Sequence, residues 1–110
     1  MEFLPVFNNP IELENIKYDN KYQLKKIIFD CVQGSCYAIV INGEIIYNDY
    51  IINKTPEEII IQDNIRQHFA NNPFHLVRPG YIAEIYMYYA SPRLIQVISD
   101  NGIYKLKIYK

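Results

Sequence analysis

Apolar and polar positions along the chain fall into two kinds of run. In "TPEEIIIQDNIRQHFANNP" they recur at helical spacing: Ile61, Ile65 and Phe69 lie four residues apart, and Ile59 or Ile60 adds to the stripe. The flanks punctuate this run. Thr55 suits an N-cap, Pro56 the first helical position, and Glu58, three residues after the cap, completes a capping box. Glu57 and Glu58 at the start, with Arg66 and His68 near the end, complement the helix dipole, and Asn71, Asn72 and Pro73 stop the run. The spacing predicts a helix over about 56–71.

The remaining runs read as strands. "QLKKIIFDCV", "SCYAIVI" and "EIIYNDYII" are separated by Gln33-Gly34 and Asn42-Gly43, both read as hairpin loops. After the connection "NNPFHLVRPG" come "YIAEIYMYYA", "RLIQVIS" and "IYKLKIY", the last two joined through Asn101-Gly102. Near the start, "NNPIELE" fits either a short helix capped by Asn9, with Pro10 at its first position, or an edge strand. The predicted fold is a single α+β domain over residues 1–110. Two antiparallel three-stranded meanders flank one amphipathic helix, as one sheet or as two packed sheets.

A two-residue loop fixes which residues oppose each other, and a slip of one turns every side chain to the other face. With Asn42-Gly43 as loop, Val40 opposes Ile45 and Ala38 opposes Tyr47; with Gln33-Gly34 as loop, Cys31 opposes Cys36. This register puts Ile27, Phe29, Ala38, Val40, Ile45 and Tyr47 on a face expected to meet the helix. Ile28, Ile39, Ile41 and Ile46 fall on the other face, beside Lys26, Asp30, Glu44 and Asn48. In the last hairpin Ile95, Val97, Tyr104, Leu106 and Ile108 share one face, and Leu94, Ile98, Lys105, Lys107 and Tyr109 the other. An antiparallel sheet wetted on one side alternates apolar and polar residues, and these strands do so only in part. A helix of about 16 residues spans roughly 24 Å and cannot cover six strands on two sides. The missing cover points to association, because large exposed apolar patches mark interaction surfaces.

Composition narrows the picture. A chain of 110 residues, 50% apolar and 21% charged, is long enough for one core and unlike a disordered segment. A formal charge of −1 does not draw the whole surface to phosphates. Twenty Ile, eleven Tyr and eleven Asn against four Ala and three Arg are what AT-rich codons specify, which suggests a phage, an archaeal virus or a low-GC bacterium as the source. The opening "MEFLPVFNNP" has an acidic second residue, an early proline and no basic start, so it does not read as a secretory leader. No apolar run approaches the ~20 residues of a membrane span. The expected place is the cytoplasm, that of the host for a viral protein, with no membrane partner.

Candidate chemistry is sparse. "CVQGSC" holds both cysteines, Cys31 and Cys36. Structural zinc wants four ligands and no second Cys or His pair accompanies these two; a thioredoxin-like motif has two intervening residues rather than four. On the hairpin reading they form a non-hydrogen-bonded pair, where Cα atoms lie closest, so a cross-strand disulfide competes with two small buried hydrophobes. His68 and His75 lack the partners of a hydrolase or nuclease site, and the four glycines all fall in apparent turns rather than a phosphate loop. No cofactor, metal or catalytic residue is expected.

Two surfaces remain. "YKLKIYK" places Lys105, Lys107 and Tyr109 on one face, with Tyr89 and Arg93 within reach. Basic and aromatic groups on an open sheet hold single-stranded nucleic acid, although lysines also guard exposed edge strands. The connection 71–80 carries Phe74, His75 and Arg78, with Leu76 and Val77 as anchors. The leading expectation is a non-enzymatic protein-binding accessory protein acting by dimerisation and occlusion of a host protein. Ile39, Ile41 and Ile46 would make the homodimer, and the helix or Phe74, His75 and Arg78 would meet an unidentified protein partner. A nucleic-acid-binding protein using Arg93, Lys105, Lys107 and Tyr109 is the alternative.

Overall fold

The computed structural model describes residues 10–17, 21–49, 54–87, 93–100 and 102–109. Its elements are β1 (Pro10–Lys17), α1 (Lys21–Gly34), β2 (Cys36–Ile41), β3 (Glu44–Asn48), α2 (Pro56–Asn71), a 3₁₀ turn (Pro73–Leu76), β4 (Ile82–Met87), β5 (Arg93–Asp100) and β6 (Ile103–Tyr109). The described strands form one antiparallel sheet in the order β1-β6-β5-β4-β2-β3. The fold is α+β. Asn9, Asn101, the end of "EIIYNDYII" beyond Asp49 and the end of "YIAEIYMYYA" beyond Met87, Tyr89 included, lie outside the described residues.

Local chemistry sets the elements that match expectation. α2 begins with both halves of the capping box: Glu58 N donates to Thr55 Oγ1 and Thr55 N donates to Glu58 Oε1, each at 3.2 Å. Asn42 and Gly43 take φ of 49° and 81°, the left-handed pair that a two-residue hairpin turn demands and that Asn-Gly tolerates. Asp100 pairs with Ile103, fixing the predicted register of the last hairpin, and "NNPIELE" contributes to strand β1.

The first predicted strand is instead a helix. Leu24, Ile28, Cys31 and Val32 are buried while Lys25, Lys26, Phe29, Asp30 and Gln33 are exposed, a stripe at three- and four-residue spacing. The "KKIIFD" run suggests a strand only when its branched residues are weighed ahead of that period. Gly34 ends α1 rather than turning a hairpin, and Cys31 and Cys36 are therefore not opposed across two strands. Both are free thiols.

The first half of the sheet is also turned over relative to the predicted register. Val40 pairs with Ile45 as expected, but a bulge then sets Ile39 opposite Tyr47 and Ala38 opposite Asn48. The extra residue, Ile46, breaks the alternation, so Tyr47 joins the core beneath the helices while Ile45 packs on the opposite side. Ile39 is fully buried on the helix side, and Ile41 and Ile46 pack against that same core. Ile39 is thus a core residue, and Ile41 and Ile46 lie half-buried at the margin of that core rather than on the face away from the helices.

One large core lies between the helices and the sheet, with Leu24, Ile28, Phe69 and Leu76 meeting Ile39, Ile85, Val97 and Leu106. α1 and α2 pack against each other. Arg66 of α2 donates from Nε to Val32 O at 2.8 Å and from a terminal nitrogen to Gln33 O at 2.9 Å. α1 has no basic residue in its own last turn, so Arg66 supplies from a neighbour the positive charge that a helix C-terminus favours. On the far side of the sheet Tyr37, Ala38, Val40, Tyr86 and Leu94 form a second, smaller buried cluster. Among the described residues no helix is long and apolar enough to cross a membrane.

Candidate functional site

Among the described residues, the largest cluster of exposed apolar side chains lies on the first two turns of α2. Ile59, Ile60 and Ile61 are 48%, 60% and 56% exposed. At about 100° per residue three consecutive side chains span about 200° of the helix circumference, so they cannot share one buried stripe. The side that meets the fold is set by Gln62, Ile65, Arg66, Phe69 and Ala70. A row at four-residue spacing also drifts by about 40° per step. The predicted line Ile61, Ile65, Phe69 therefore rolls from exposed, through half-buried, to buried.

This ridge is held firmly and rimmed by acid. The capping box closes its N-terminus, and Gln62 Oε1 accepts from Asn48 N at 2.8 Å, tying the helix to edge strand β3. Hydrogen bonds from the Thr55 backbone and side chain hold the exposed Glu58 carboxyl below its usual range. Glu57, Glu58 and Asp63 are all exposed around the isoleucines. A rigid apolar strip inside a carboxylate rim suits contact with a protein surface that is apolar at its centre and basic at its edge.

The segment after α2 is packed at its root and polar at its tip. Leu76 and Val77 are buried in the main core, Pro73 is buried and Phe74 half-buried against it. The turn Arg78–Tyr81 closes through Tyr81 N donating to Arg78 O at 2.9 Å, with Gly80 at φ 80° where a side chain would be strained. Of the three residues predicted here to bind a partner, Phe74 therefore serves as an anchor, while His75 and Arg78 are exposed. The folding of this segment brings His75 to His68: His68 Nε2 and His75 Nδ1 are 2.8 Å apart, and both residues are exposed. Their seven-residue separation spans the helix end and the 3₁₀ turn, so no simple periodicity announces the pair. Beside it a recess of about 180 Å³ is lined by Lys25, Asn71, Asn72, Pro73, Phe74 and His75. Among the described residues neither ring is bonded to a carboxylate or a hydroxyl, as a catalytic triad would require.

β6 is an interior strand between β1 and β5, so Lys105 and Lys107 are not guarding an exposed edge. Lys105, Lys107 and Tyr109 lie half-exposed on the face away from the helices. Across that face Lys107 is in register with Gln96 and Gln96 with Glu84. Tyr109 Oη donates to Gln96 Oε1 at 3.2 Å, and Gln96 Nε2 to Glu84 Oε2 at 3.4 Å. Burial raises the Glu84 carboxyl, opposed by the Gln96 bond. Tyr37 and Tyr86, which extend this face toward β2, are buried and present no stacking surface to solvent. Arg93, half-buried at the start of β5, is on the neighbouring strand.

The cysteines do not form a reactive site. Burial, with the Asp30 charge adding, pushes the Cys31 thiol up to about 12. Burial does the same at Cys36, to about 12 against the opposing pull of Arg66, and its Sγ lies 3.4 Å from Ala38 O. Among the described residues no group of three or more His, Cys, Asp or Glu is placed to hold a metal ion. Comparison with known protein families, with curated proteins and with solved structures gives no match.

Proposed function

We propose that this protein is a non-enzymatic binding module that occludes a surface of another protein, and that its contact surface is the first half of α2. The observation that carries this is the ridge of Ile59, Ile60 and Ile61, exposed on a capped helix pinned to the sheet edge by Gln62. Burying apolar surface is the main source of association energy, at roughly 25 cal/mol per Å² before the costs of binding. Three branched side chains already ordered on a helix bring that surface with little further entropy to lose. Two copies of the ridge face to face would oppose carboxylate rims, so a partner with a basic border fits this surface better than a second copy does.

The test places a photo-crosslinking residue at position 60 of the intact chain, expressed in cells of its source. A discrete adduct with a different protein, lost when Ile59 and Ile61 are both changed to Ser, is the expected result. Circular dichroism should show α2 unchanged in that variant, since both side chains face solvent. An adduct only with the same chain would make the surface a homodimer contact, and the absence of any adduct would overturn the reading.

A further inference from the structure

We infer that His68 and His75 form a two-imidazole site for a divalent transition-metal ion of the Ni²⁺ or Cu²⁺ type. The fold brings one nitrogen of each ring to 2.8 Å, with ring centroids 4.9 Å apart and planes inclined by 43°. Each ring comes from an anchored element. His68 sits in the last turn of α2, whose end is closed by Asn72 N and Asn72 Nδ2 donating to His68 O at 2.8 and 3.1 Å. His75 sits in the 3₁₀ turn, whose neighbours Leu76 and Val77 are buried.

Imidazole binds first-row metals at about 2.0–2.1 Å and is a favoured ligand of copper and nickel, whose tetragonal sites accept two such nitrogens side by side. Two rings already in contact need only pivot for one nitrogen of each to face the same ion. In the metal-free pair one nitrogen carries a proton and donates to the other. On binding, both rings pivot toward the ion and that proton passes through solvent to the distal nitrogen of the same ring, so two neutral imidazoles remain ligands and no net charge is transferred. The remaining coordination positions open to solvent, because both residues are exposed. Lys25 lines the adjoining recess and opposes a cation there.

Titration of the intact protein with NiCl₂ by calorimetry tests this, alongside nuclear magnetic resonance with substoichiometric CuCl₂. The expected result is one Ni²⁺ per chain, and Cu²⁺ broadening centred on His68, His75 and Asn72. His68→Gln and His75→Gln should each weaken Ni²⁺ by roughly tenfold or more, because each removes the second, intramolecular attachment. Lys25→Gln should tighten binding. Thermal melts of both His variants, which replace exposed side chains, verify the fold. Ni²⁺ binding that is absent in the wild type, or unchanged in either His variant, would overturn the site and leave the pair as a hydrogen-bonded clasp between α2 and the turn.

Discussion

A thiolate is the reactive form of cysteine, and burial suppresses it at both Cys31 and Cys36, whose thiols are pushed up to about 12. At pH 8 the thiolate fraction of such a group is on the order of 10⁻⁴. Ellman's reagent should therefore find almost no reactive thiol in the folded protein at that pH and two in urea; rapid native labelling at either position would contradict the burial. Glu84 shows the converse effect of burial on an acid. Because desolvation raises its folded-state pKa, the charged form is penalised in the fold, so the group favours folding below the ordinary value of 4.5 and that contribution is lost as pH rises through the raised value. Glu84→Gln should raise the urea midpoint at pH 7, and the advantage over the wild type should shrink as the pH is lowered toward 4.5. An advantage independent of pH would mean that the substitution acts through packing instead.

At the scale of elements, Arg66 joins the two helices by giving two charge-assisted bonds to the end of α1. Bonds of this kind contribute about 1.5–3 kcal/mol each, so Arg66→Leu should lower the urea midpoint clearly and speed exchange of the last α1 amides. Lys26→Ala serves as control: its 2.6 Å pair with Asp30 is exposed at both ends and is worth at most about 1 kcal/mol. Equal losses in the two variants would remove the capping role. Legibility in the sequence follows the same local logic. The capping box of α2 and the Asn42-Gly43 turn are written in adjacent residues and can be read directly. α1 was open to misreading because Gly34 ends a helix or turns a hairpin equally well, and because its buried stripe at Leu24, Ile28, Cys31 and Val32 is interrupted by Ile27 and Phe29. The Ile46 bulge, which puts Tyr47 on the side of the sheet opposite Ile45, depends on pairing between strands and has no local signature.

Across the whole molecule, the sequence argued for a missing partner because one helix cannot cover two faces of a sheet; a second helix and a buried cluster on the far face change that balance. Among the described residues an apolar ridge stays exposed at Ile59, Ile60 and Ile61, although the sequence set Ile61, with Ile59 or Ile60, on the core stripe of α2. The histidine pair was equally hidden, since only the return of the chain after Asn72 brings the rings together. These placements bear on the choice between the two proposed binding classes. Non-specific nucleic-acid binding needs several cations free to neutralise phosphates and aromatic faces open to stacking. Here the net charge is −1, Glu84 shares the face of Lys105 and Lys107, and Tyr37 and Tyr86 are buried. The protein should not retain a single-stranded oligonucleotide at low salt by fluorescence anisotropy, and Lys105→Glu with Lys107→Glu should leave that result and the position-60 adduct unchanged. Retention that falls steeply with salt and disappears in the double variant would move the function from the α2 ridge to the β6 face, because loss of binding with those two charges would identify the surface that phosphates occupy.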